Sequence, residues 1–387
     1  MEFEFSKNVM SLPPYPFVEI EETIKKKRSG GADIISLGIG DPDLPPPKFI
    51  LKALAEAVAD PENHGYSSTR GEFEFRLAVA EWYKRRFGVD LDPEKEVIAL
   101  LGSKEGLSNI ARAFVNHGDR VIIPDPAYPA YTSGGAILNG GIPSYVPLLE
   151  ENGFLPNLQN INTHRAKMLY LNYPNNPTGA TVTIKELKEF VDFAVENKLI
   201  LCYDNAYSEI TFQDYRAPSI LQVDESKEVA IEVNSCSKTF SLAGDRIAFA
   251  VGNKKLVEGL AKVKSQIDSG PPKYIQKVVA EALKTYDGPE PPKYIVERNK
   301  IYEKRARLLV KELNSMGLKC KIPKATFYVW AKCNENSAKF VEKMLSVNVV
   351  ATPGAAFGNY GEGFIRFSVT CPEDRIKEAC ERLKKII

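Results

Sequence analysis

The sequence predicts an α/β fold: a mostly parallel sheet with helices on both faces, followed by a smaller α+β unit. From Val97 onward, short β-branched apolar runs alternate with stretches of helical spacing. Polar or turn-forming segments follow these apolar runs. The composition, 44% hydrophobic and 26% charged, is ordinary for a globular enzyme, and 387 residues can form two or three domains.

Helices and short strands are also predicted on either side of the central sheet. Pro13, Pro14 and Pro16 make the first residues irregular, so we expect an arm there. Apolar periodicity then predicts helices over Val18–Ser29, Lys48–Ala59, Phe73–Phe87, Tyr294–Met316 and Glu373–Ile386, and strands over Ile34–Leu37, Cys320–Lys332 and Gly363–Val369.

The central part of the chain repeats a strand, a loop and a helix. Its strand-like runs are Val97–Leu101, Arg120–Ile123, Met168–Leu171, Leu199–Tyr203, Val229–Val233 and Ile247–Val251. Composition shifts near 268–272 and 287–292 indicate a domain boundary. We therefore expect residues 1–35 to form an arm and the start of a small domain, 36–275 a large ligand-binding domain, and 276–387 a small C-terminal α+β domain.

Charge and cysteine content argue against several classes of protein. A net charge of +1 argues against nucleic-acid or membrane-surface binding. The six cysteines form no CxxC pair and only three histidines are present, so neither a metal site nor a disulfide framework is expected. The acidic N-terminal residues do not resemble a signal peptide, and no apolar run reaches about 18 residues. We therefore expect a cytoplasmic protein.

Chemically distinctive side chains lie just after the predicted strands. Parallel α/β sheets bind ligands at the carboxyl ends of their strands, so these side chains are expected to share one site. They are Ser103, Tyr128, Asn176, Asp204 and Lys238.

Lys238 follows an apolar strand and the small polar segment Asn234–Ser237. Burial would lower the pKa of its amine and supply the neutral form that attacks a carbonyl group. Ser235, Ser237 and Arg246 would suit a phosphate group nearby. A lysine beside a phosphate site indicates pyridoxal phosphate, whereas the ordinary alternative is a solvated lysine at a strand end. This stretch alone does not decide between them.

Pyridoxal phosphate makes further demands, and the sequence offers a candidate for each. Asp204 could pair with the pyridine nitrogen, although an aspartate here could equally cap the next turn. Tyr207 and Asn176 could donate hydrogen bonds to the phenolate oxygen, and Tyr128 could stack on the ring. Each of these residues is also compatible with ordinary packing or a turn.

Two further groups of residues remain open on spacing alone. The amides of Ser103 and Lys104, at a helix N-terminus, could complete the phosphate site. Arg366 needs an anion such as a carboxylate if its side chain points inward, and is an ordinary exposed residue if it points outward. Spacing does not connect three upstream residues to the site: Tyr15, Gly40 and Tyr66.

Taken together, these residues resemble the fold-type I, pyridoxal-phosphate-dependent aminotransferases of the aspartate aminotransferase superfamily. The similarity covers nearly the whole chain, and the order and separation of its blocks are highly specific. The blocks are Leu37–Asp43, Tyr66–Gly71 with Arg76, Gly102–Leu107, Pro124–Tyr131, Asn172–Gly179, Asp204–Tyr207, Ser235–Lys238 with Arg246, and Gly363–Ser368.

The resemblance implies a role for each candidate. Lys238 would hold the cofactor and move a proton from the substrate α-carbon, with Asp204 and Tyr207 as the other catalytic residues. The remaining cofactor contacts would be Ser103, Lys104, Tyr128, Asn176, Ser235, Ser237 and Arg246, with Tyr66 supplied by the partner subunit of a homodimer with shared active sites. The substrate would be bound by Tyr15, Gly40, Lys104, Tyr128, Asn176 and Arg366, with Arg366 and the Gly40 amide on its α-carboxylate.

Several blocks are most similar to one branch of the superfamily, the LL-diaminopimelate aminotransferases. They include Leu12–Phe17, Leu37–Pro45 and Lys324–Ala331. This implies ping-pong transamination with 2-oxoglutarate, in lysine biosynthesis. The alternatives are an aspartate, alanine or aromatic aminotransferase, a lyase on the same fold, or a non-catalytic binding domain. Asp245 and Gln266 depart from the pattern, which usually has an aromatic residue and Asn there.

Overall fold

The computed structural model of the protein describes residues 3–387. Its strands are β1 (Ile35–Ser36), β2 (Val97–Leu100), β3 (Arg120–Asp125), β4 (Ile142–Pro147), β5 (Ala166–Asn172), β6 (Ile200–Asp204), β7 (Ala230–Ser235), β8 (Ala248–Gly252), β9 (Tyr328–Lys332), β10 (Val349–Val350), β11 (Thr352–Pro353) and β12 (Phe364–Ser368). Its helices are α1 (Lys7–Met10), α2 (Pro16–Ser29), α3 (Lys48–Ala59), α4 (Phe73–Phe87), α5 (Ser103–Phe114), α6 (Ile184–Glu196), α7 (Ser226–Val229), α8 (Cys236–Thr239), α9 (Lys254–Lys264), α10 (Lys273–Lys284), α11 (Lys293–Ser315), α12 (Ser337–Ser346) and α13 (Glu373–Leu383).

Seven strands form the central sheet, in the order β2–β8–β7–β6–β5–β3–β4. Strand β8 is antiparallel to both of its neighbours, and the other pairs are parallel. The predicted mostly parallel sheet is therefore confirmed.

Alternating side chains of the central strands pack into two hydrophobic cores, one on each face of the sheet. In β2, Val97 and Ala99 join the core that contains residues of α4, α6 and α10. Ile98 and Leu100 join the opposite core, which contains residues of α5 and α9. Because both faces of these strands are buried, their sequences are continuous apolar runs in which polar residues do not alternate with apolar ones.

Local signals set the helix boundaries around the sheet. The side chain of Thr183 accepts a hydrogen bond from the amide of Glu186, whose carboxylate accepts one from the amide of Thr183. This capping box starts α6 at Ile184. Gly88 adopts a left-handed conformation with φ of 73° and ends α4.

A third core forms around a small antiparallel sheet in the order β11–β12–β9. Strand β1, near the beginning of the chain, pairs in parallel with β10. Ile35 and Leu37 are buried in this core together with residues of α11, α12 and α13. The segment after β1 is thereby held against the small sheet, where the amide of Ser368 donates a 2.6 Å hydrogen bond to the carbonyl oxygen of Leu37.

Three details of the sequence prediction were wrong. Strand β7 begins at Ala230, because Val229 ends the one-turn helix α7. The run predicted over Cys320–Lys332 is a strand only from Tyr328; Pro323 lacks the N–H that a continuous ladder needs there. Strand β4 was missed, because an edge strand that carries two prolines has a weak strand signal.

Residues 3–387 lack two features that would bear on function. Among the helices there, none combines the length and apolar character needed to cross a bilayer. In the same residues, no group of three or more His, Cys, Asp or Glu side chains is arranged to hold a metal ion.

Candidate active site

A cavity of about 270 Å³ lies at the carboxyl ends of the central strands. Strands β5, β6 and β7 end side by side there, because Asn172 pairs with Asp204 and Asp204 pairs with Val233. The residues expected from the sequence that line this cavity are Tyr15, Gly40, Ser103, Tyr128, Asn176, Asp204, Tyr207, Ser235, Lys238 and Arg366.

The amine of Lys238 points into this cavity and donates a 2.8 Å hydrogen bond to the carbonyl oxygen of Gly40. Burial lowers the pKa of Lys238 to about 8; the charge of Asp41 opposes this shift, and Arg366 and Arg246 reinforce it. A drop from 10.5 to about 8 raises the neutral fraction at pH 7 about 300-fold. The site therefore provides a nucleophilic amine near neutral pH.

Asp204 is a buried carboxylate at the end of β6. It accepts a 2.7 Å hydrogen bond from the hydroxyl of Tyr131 and one of 3.2 Å from the amide of Ala206. Burial raises the pKa of Asp204 to about 6, and these two hydrogen bonds limit the rise. Within residues 3–387 no lysine, arginine or histidine forms an ion pair with Asp204, so its charge is suited to a cationic ligand atom.

Arg366 points inward and is 1% exposed. Its guanidinium donates hydrogen bonds to the side-chain oxygen of Asn176 at 2.8 Å and to the carbonyl oxygen of Gly38 at 2.6 Å. Asn172 orients the same loop, because its side-chain oxygen accepts a 2.7 Å hydrogen bond from the amide of Asn176. The outward alternative for Arg366 is therefore excluded, and a buried cation faces the cavity.

Tyrosines form much of the remaining wall. The hydroxyls of Tyr207 and Tyr328 lie 3.0 Å apart, and burial raises the pKa of Tyr207 well above its usual value. Tyr128 is hydrogen-bonded to Tyr15, and burial raises its pKa as well. These phenols stay neutral and can donate hydrogen bonds. A Cβ on Gly40 would lie 1.9 Å from the Tyr328 hydroxyl, so only glycine fits there.

The start of α5 and the loop around Arg246 form a cradle beside the cavity. Gly102 has a φ of 87°, and a Cβ on it would lie 2.2 Å from Nη2 of Arg246. Ser103 follows as the first residue of α5, and Ser235 and Ser237 are buried nearby along the chain that leads to Lys238. Backbone amides at a helix N-terminus, hydroxyls and a guanidinium are the donors that a phosphate group requires.

Four residues expected in the site do not line the cavity: Ser237 and Arg246, which belong to the cradle beside it, and Tyr66 and Lys104. Tyr66 is 90% exposed and is not among the residues lining the cavity of its own chain. The Lys104 amine lies 4.2 Å from the centre of the Tyr15 ring, at the edge of the cavity. Asp245 is half-buried in the turn before Arg246, and nothing in the structure explains its replacement of an aromatic residue.

Residues 32–383 match the family described as aminotransferase class I and II. The protein belongs to this family of aminotransferases. The chain is 48% identical to LL-diaminopimelate aminotransferase of Aquifex aeolicus, with 99% of each chain covered. It is 45% identical to the Moorella thermoacetica protein of the same name, with 99% of this chain and 98% of the relative covered.

Solved structures agree with this family. Substrate-bound BacF from Bacillus subtilis is 35% identical, with a TM-score of 0.95 and coverage of 100% of this chain and 98% of that one. The aromatic aminotransferase of Pyrococcus horikoshii is 35% identical, with a TM-score of 0.86 and coverage of 94% and 98%. A mutant aspartate aminotransferase of Thermus thermophilus is 28% identical, with a TM-score of 0.92 over 100% of both chains. The fold-type I architecture is therefore confirmed.

This aminotransferase uses pyridoxal phosphate as its cofactor and acts on amino acids and 2-oxo acids. The geometry fits that cofactor at three points. Lys238 offers an amine of lowered pKa, Asp204 offers a carboxylate suited to a pyridinium, and the cradle of Gly102 and Arg246 matches a phosphate.

The aminotransferase site also contains residues that sequence reasoning did not single out. Tyr131 supports Asp204, Tyr328 contacts Tyr207, and Asn172 orients Asn176. Arg298 of α11 donates hydrogen bonds to the carbonyl oxygens of Lys238 and Thr239. Asn172 had a signal, because it is the last residue of a strand at the ligand edge. No sequence signal pointed to Arg298, because a single arginine in a charged helix is expected to be exposed to solvent.

Proposed function

We propose that this enzyme is an LL-diaminopimelate aminotransferase of lysine biosynthesis. It exchanges an amino group between LL-diaminopimelate and 2-oxoglutarate, giving glutamate and a 2-oxo acid that cyclises with loss of water to tetrahydrodipicolinate. The observation that carries the proposal is the full-length similarity, at 43–48% identity, to relatives that all bear this name. The cavity is lined by a buried guanidinium, that of Arg366, and by Tyr15, whose ring lies 4.2 Å from the amine of Lys104, which supports a substrate with more than one charged group.

The catalytic roles proposed here are those implied by the resemblance, and the position of each side chain at the cavity supports them. Pyridoxal phosphate, when bound, withdraws electrons from the substrate α-carbon, so that a proton can leave that atom. Lys238 holds the cofactor and, as a neutral amine, takes and returns this proton. Asp204 keeps the pyridine nitrogen protonated through its negative charge. With the cofactor bound, Asn176 and Tyr207 would donate hydrogen bonds to its phenolate oxygen, and Tyr128 would lie against its ring.

The substrate carboxylates are assigned to two ends of the cavity. Arg366 binds the α-carboxylate, because a buried guanidinium takes a carboxylate in two parallel hydrogen bonds. The amide of Gly40, in the segment that follows β1, assists it. Tyr15 and the Lys104 amine, which lies 4.2 Å from the centre of the Tyr15 ring, are assigned to the distal part of the substrate. Ser103, Ser235, Ser237 and Arg246 bind the phosphate, together with the Lys104 amide.

The enzyme is proposed to act in the cytoplasm as a homodimer with shared active sites. Tyr66 supports this assembly. Its side chain is 90% exposed in the single chain, as expected for a residue that binds the phosphate in the site of the partner subunit. Residues 36–275 are proposed as the large cofactor-binding domain and 276–387 as the small domain. Residues 1–35 provide the arm and the start of the small domain, in line with the pairing of β1 and β10.

A panel of amino donors tests the proposed substrate. Purified enzyme is incubated with 2-oxoglutarate and LL-diaminopimelate, alanine, aspartate or phenylalanine, and glutamate formation is followed. We expect the highest kcat/KM with LL-diaminopimelate. Better activity on alanine, aspartate or phenylalanine, with none on LL-diaminopimelate, would overturn the proposal in favour of another aminotransferase. Consumption of a donor without glutamate formation would indicate a lyase.

A further inference from the structure

Helix α2 brings a carboxylate to the mouth of the cavity. Tyr15, which precedes this helix, and Glu21, in its second turn, both line the cavity. The other carboxylate among the described lining residues is Asp204, which is buried at the floor and hydrogen-bonded to Tyr131. Glu21 is exposed and is not needed for any cofactor contact proposed above. Its carboxylate is therefore available to a substrate.

The placement of Glu21 is supported by the contacts of α2 with the small core. Ile24, one turn further along the helix, is 6% exposed and packs with Ile34 and Val350. Lys27 donates a 2.9 Å hydrogen bond to the carbonyl oxygen of Leu345, at the end of α12. The helix is thus fixed to the body of the protein, and Glu21 has a defined position beside the cavity.

The mouth presents charges of both signs. The amine of Lys104 lies 4.2 Å from the centre of the Tyr15 ring, and both Tyr15 and the carboxylate-bearing Glu21 line the cavity. Arg366 is buried and Glu21 is exposed, so a substrate held by Arg366 at its α-carboxylate would extend outward towards this mouth. If the distal end of the substrate carries both an ammonium and a carboxylate, the ammonium can donate a hydrogen bond to Glu21 and the carboxylate can pair with Lys104. If the distal end carries a carboxylate alone, Glu21 has no group to bind.

We propose that Glu21 binds the distal ammonium group of LL-diaminopimelate and thereby selects donors with an amino group at both ends. The assignment rests on the proposed function. Glu21 acts as a specificity-determining residue: it contributes to binding of the donor and takes no part in proton transfer at Lys238.

Three donors that differ only at the distal end test this assignment in the holoenzyme. LL-diaminopimelate carries a distal ammonium and carboxylate, L-lysine the ammonium alone, and L-2-aminopimelate the carboxylate alone. For Glu21→Gln we expect kcat/KM to fall about ten- to a hundredfold with the first two donors, as for loss of a charged hydrogen bond. The loss should lie in KM, and activity on L-2-aminopimelate should change less than about twofold.

Glu22→Gln is the matched control, since this neighbouring residue is exposed on the same helix and does not line the cavity. It should behave as the unmodified enzyme with all three donors. Unchanged kinetics of Glu21→Gln on LL-diaminopimelate, or an equal loss with every donor, would overturn the role of Glu21. An unmodified enzyme that does not accept LL-diaminopimelate would instead refute the proposed function.

Discussion

The guanidinium of Arg366 donates a 2.8 Å hydrogen bond to the side-chain oxygen of Asn176, joining β12 of the small sheet to the loop after β5. Because this oxygen is used as an acceptor, the NH₂ group of Asn176 is left as the donor for a ligand. The same contact therefore orients a proposed cofactor ligand and the proposed substrate cation. It also ties the two sheets together at the cavity.

Arg366→Lys tests this contact. Lysine keeps the charge but cannot make two parallel hydrogen bonds to a carboxylate. We expect kcat/KM to fall about a hundredfold or more for every amino donor, including glutamate, while cofactor affinity changes little. Steady-state kinetics and cofactor titration measure the two effects. Arg307→Lys, on the exposed side of α11, is the control. A loss confined to one donor would contradict the assignment to the common α-carboxylate.

Lys238→Ala should abolish transamination, because the amine that exchanges the proton is lost. The control is Lys254→Ala, at an exposed lysine near the start of α9. Circular dichroism should show an unchanged fold in both variants. Near-normal turnover of Lys238→Ala would refute its catalytic role.

The lowered pKa of Lys238 predicts a pH dependence of cofactor attachment to the apoprotein. Only the neutral amine reacts, so the rate of attachment should rise with pH and level off above about 8. An ordinary lysine would give a rate that still climbs near pH 10. Absorbance after mixing with pyridoxal phosphate measures the rate, and Lys238→Ala supplies the background. A rate that does not level off below pH 10 would contradict the shifted pKa.

Asp204→Asn should make the apoprotein more stable at neutral pH. Native Asp204 keeps its proton up to about pH 6, whereas the unfolded chain loses it near 3.8. Between these values the unfolded state binds fewer protons, so the free energy of unfolding falls as pH rises. Asparagine does not titrate, so the free energy of unfolding of the variant does not fall in this way. Its excess over the unmodified apoprotein should grow between pH 4 and pH 6 and reach on the order of 3 kcal/mol. Urea denaturation at several pH values measures it.

In the cofactor-loaded enzyme the same substitution should lower activity, although it stabilises the apoprotein. With the cofactor bound, Asp204→Asn loses the negative charge opposite the pyridine nitrogen, so activity should fall by at least about tenfold. An apoprotein advantage that is independent of pH would contradict the assigned titration.

Mixed dimers test whether Tyr66 acts in the partner's site. Tyr66→Ala should weaken cofactor binding about ten- to a hundredfold, as for loss of one hydrogen bond to a charged group. Lys238→Ala alone should be inactive. A mixed dimer of the two variants contains one site with both residues intact if Tyr66 reaches across, so activity should recover after subunit exchange. If both residues belong to the same chain's site, mixing restores nothing.

Much of the site was predictable because parallel sheets place strand ends together. Asp204, Asn176 and Lys238 each follow an apolar run, and the alternation of strands and helices puts those ends at one edge. The same reasoning could not decide the direction of Arg366, since alternation allows either face of a short strand. In the folded protein β12 pairs with β9 in a register that places Arg366 opposite Trp330, and the side chain of Arg366 is buried.

The sequence by itself determined the α/β class, the ligand edge and the chemical types gathered there, because these depend on local periodicity and on the order of elements. Tertiary structure alone decided the pairings between distant segments. Lys238 meets Gly40 across 198 positions, and Arg366 meets Asn176 across 190. The lowered pKa of Lys238 and the raised pKa of Asp204 also arise from burial, which depends on how the whole chain packs around each group.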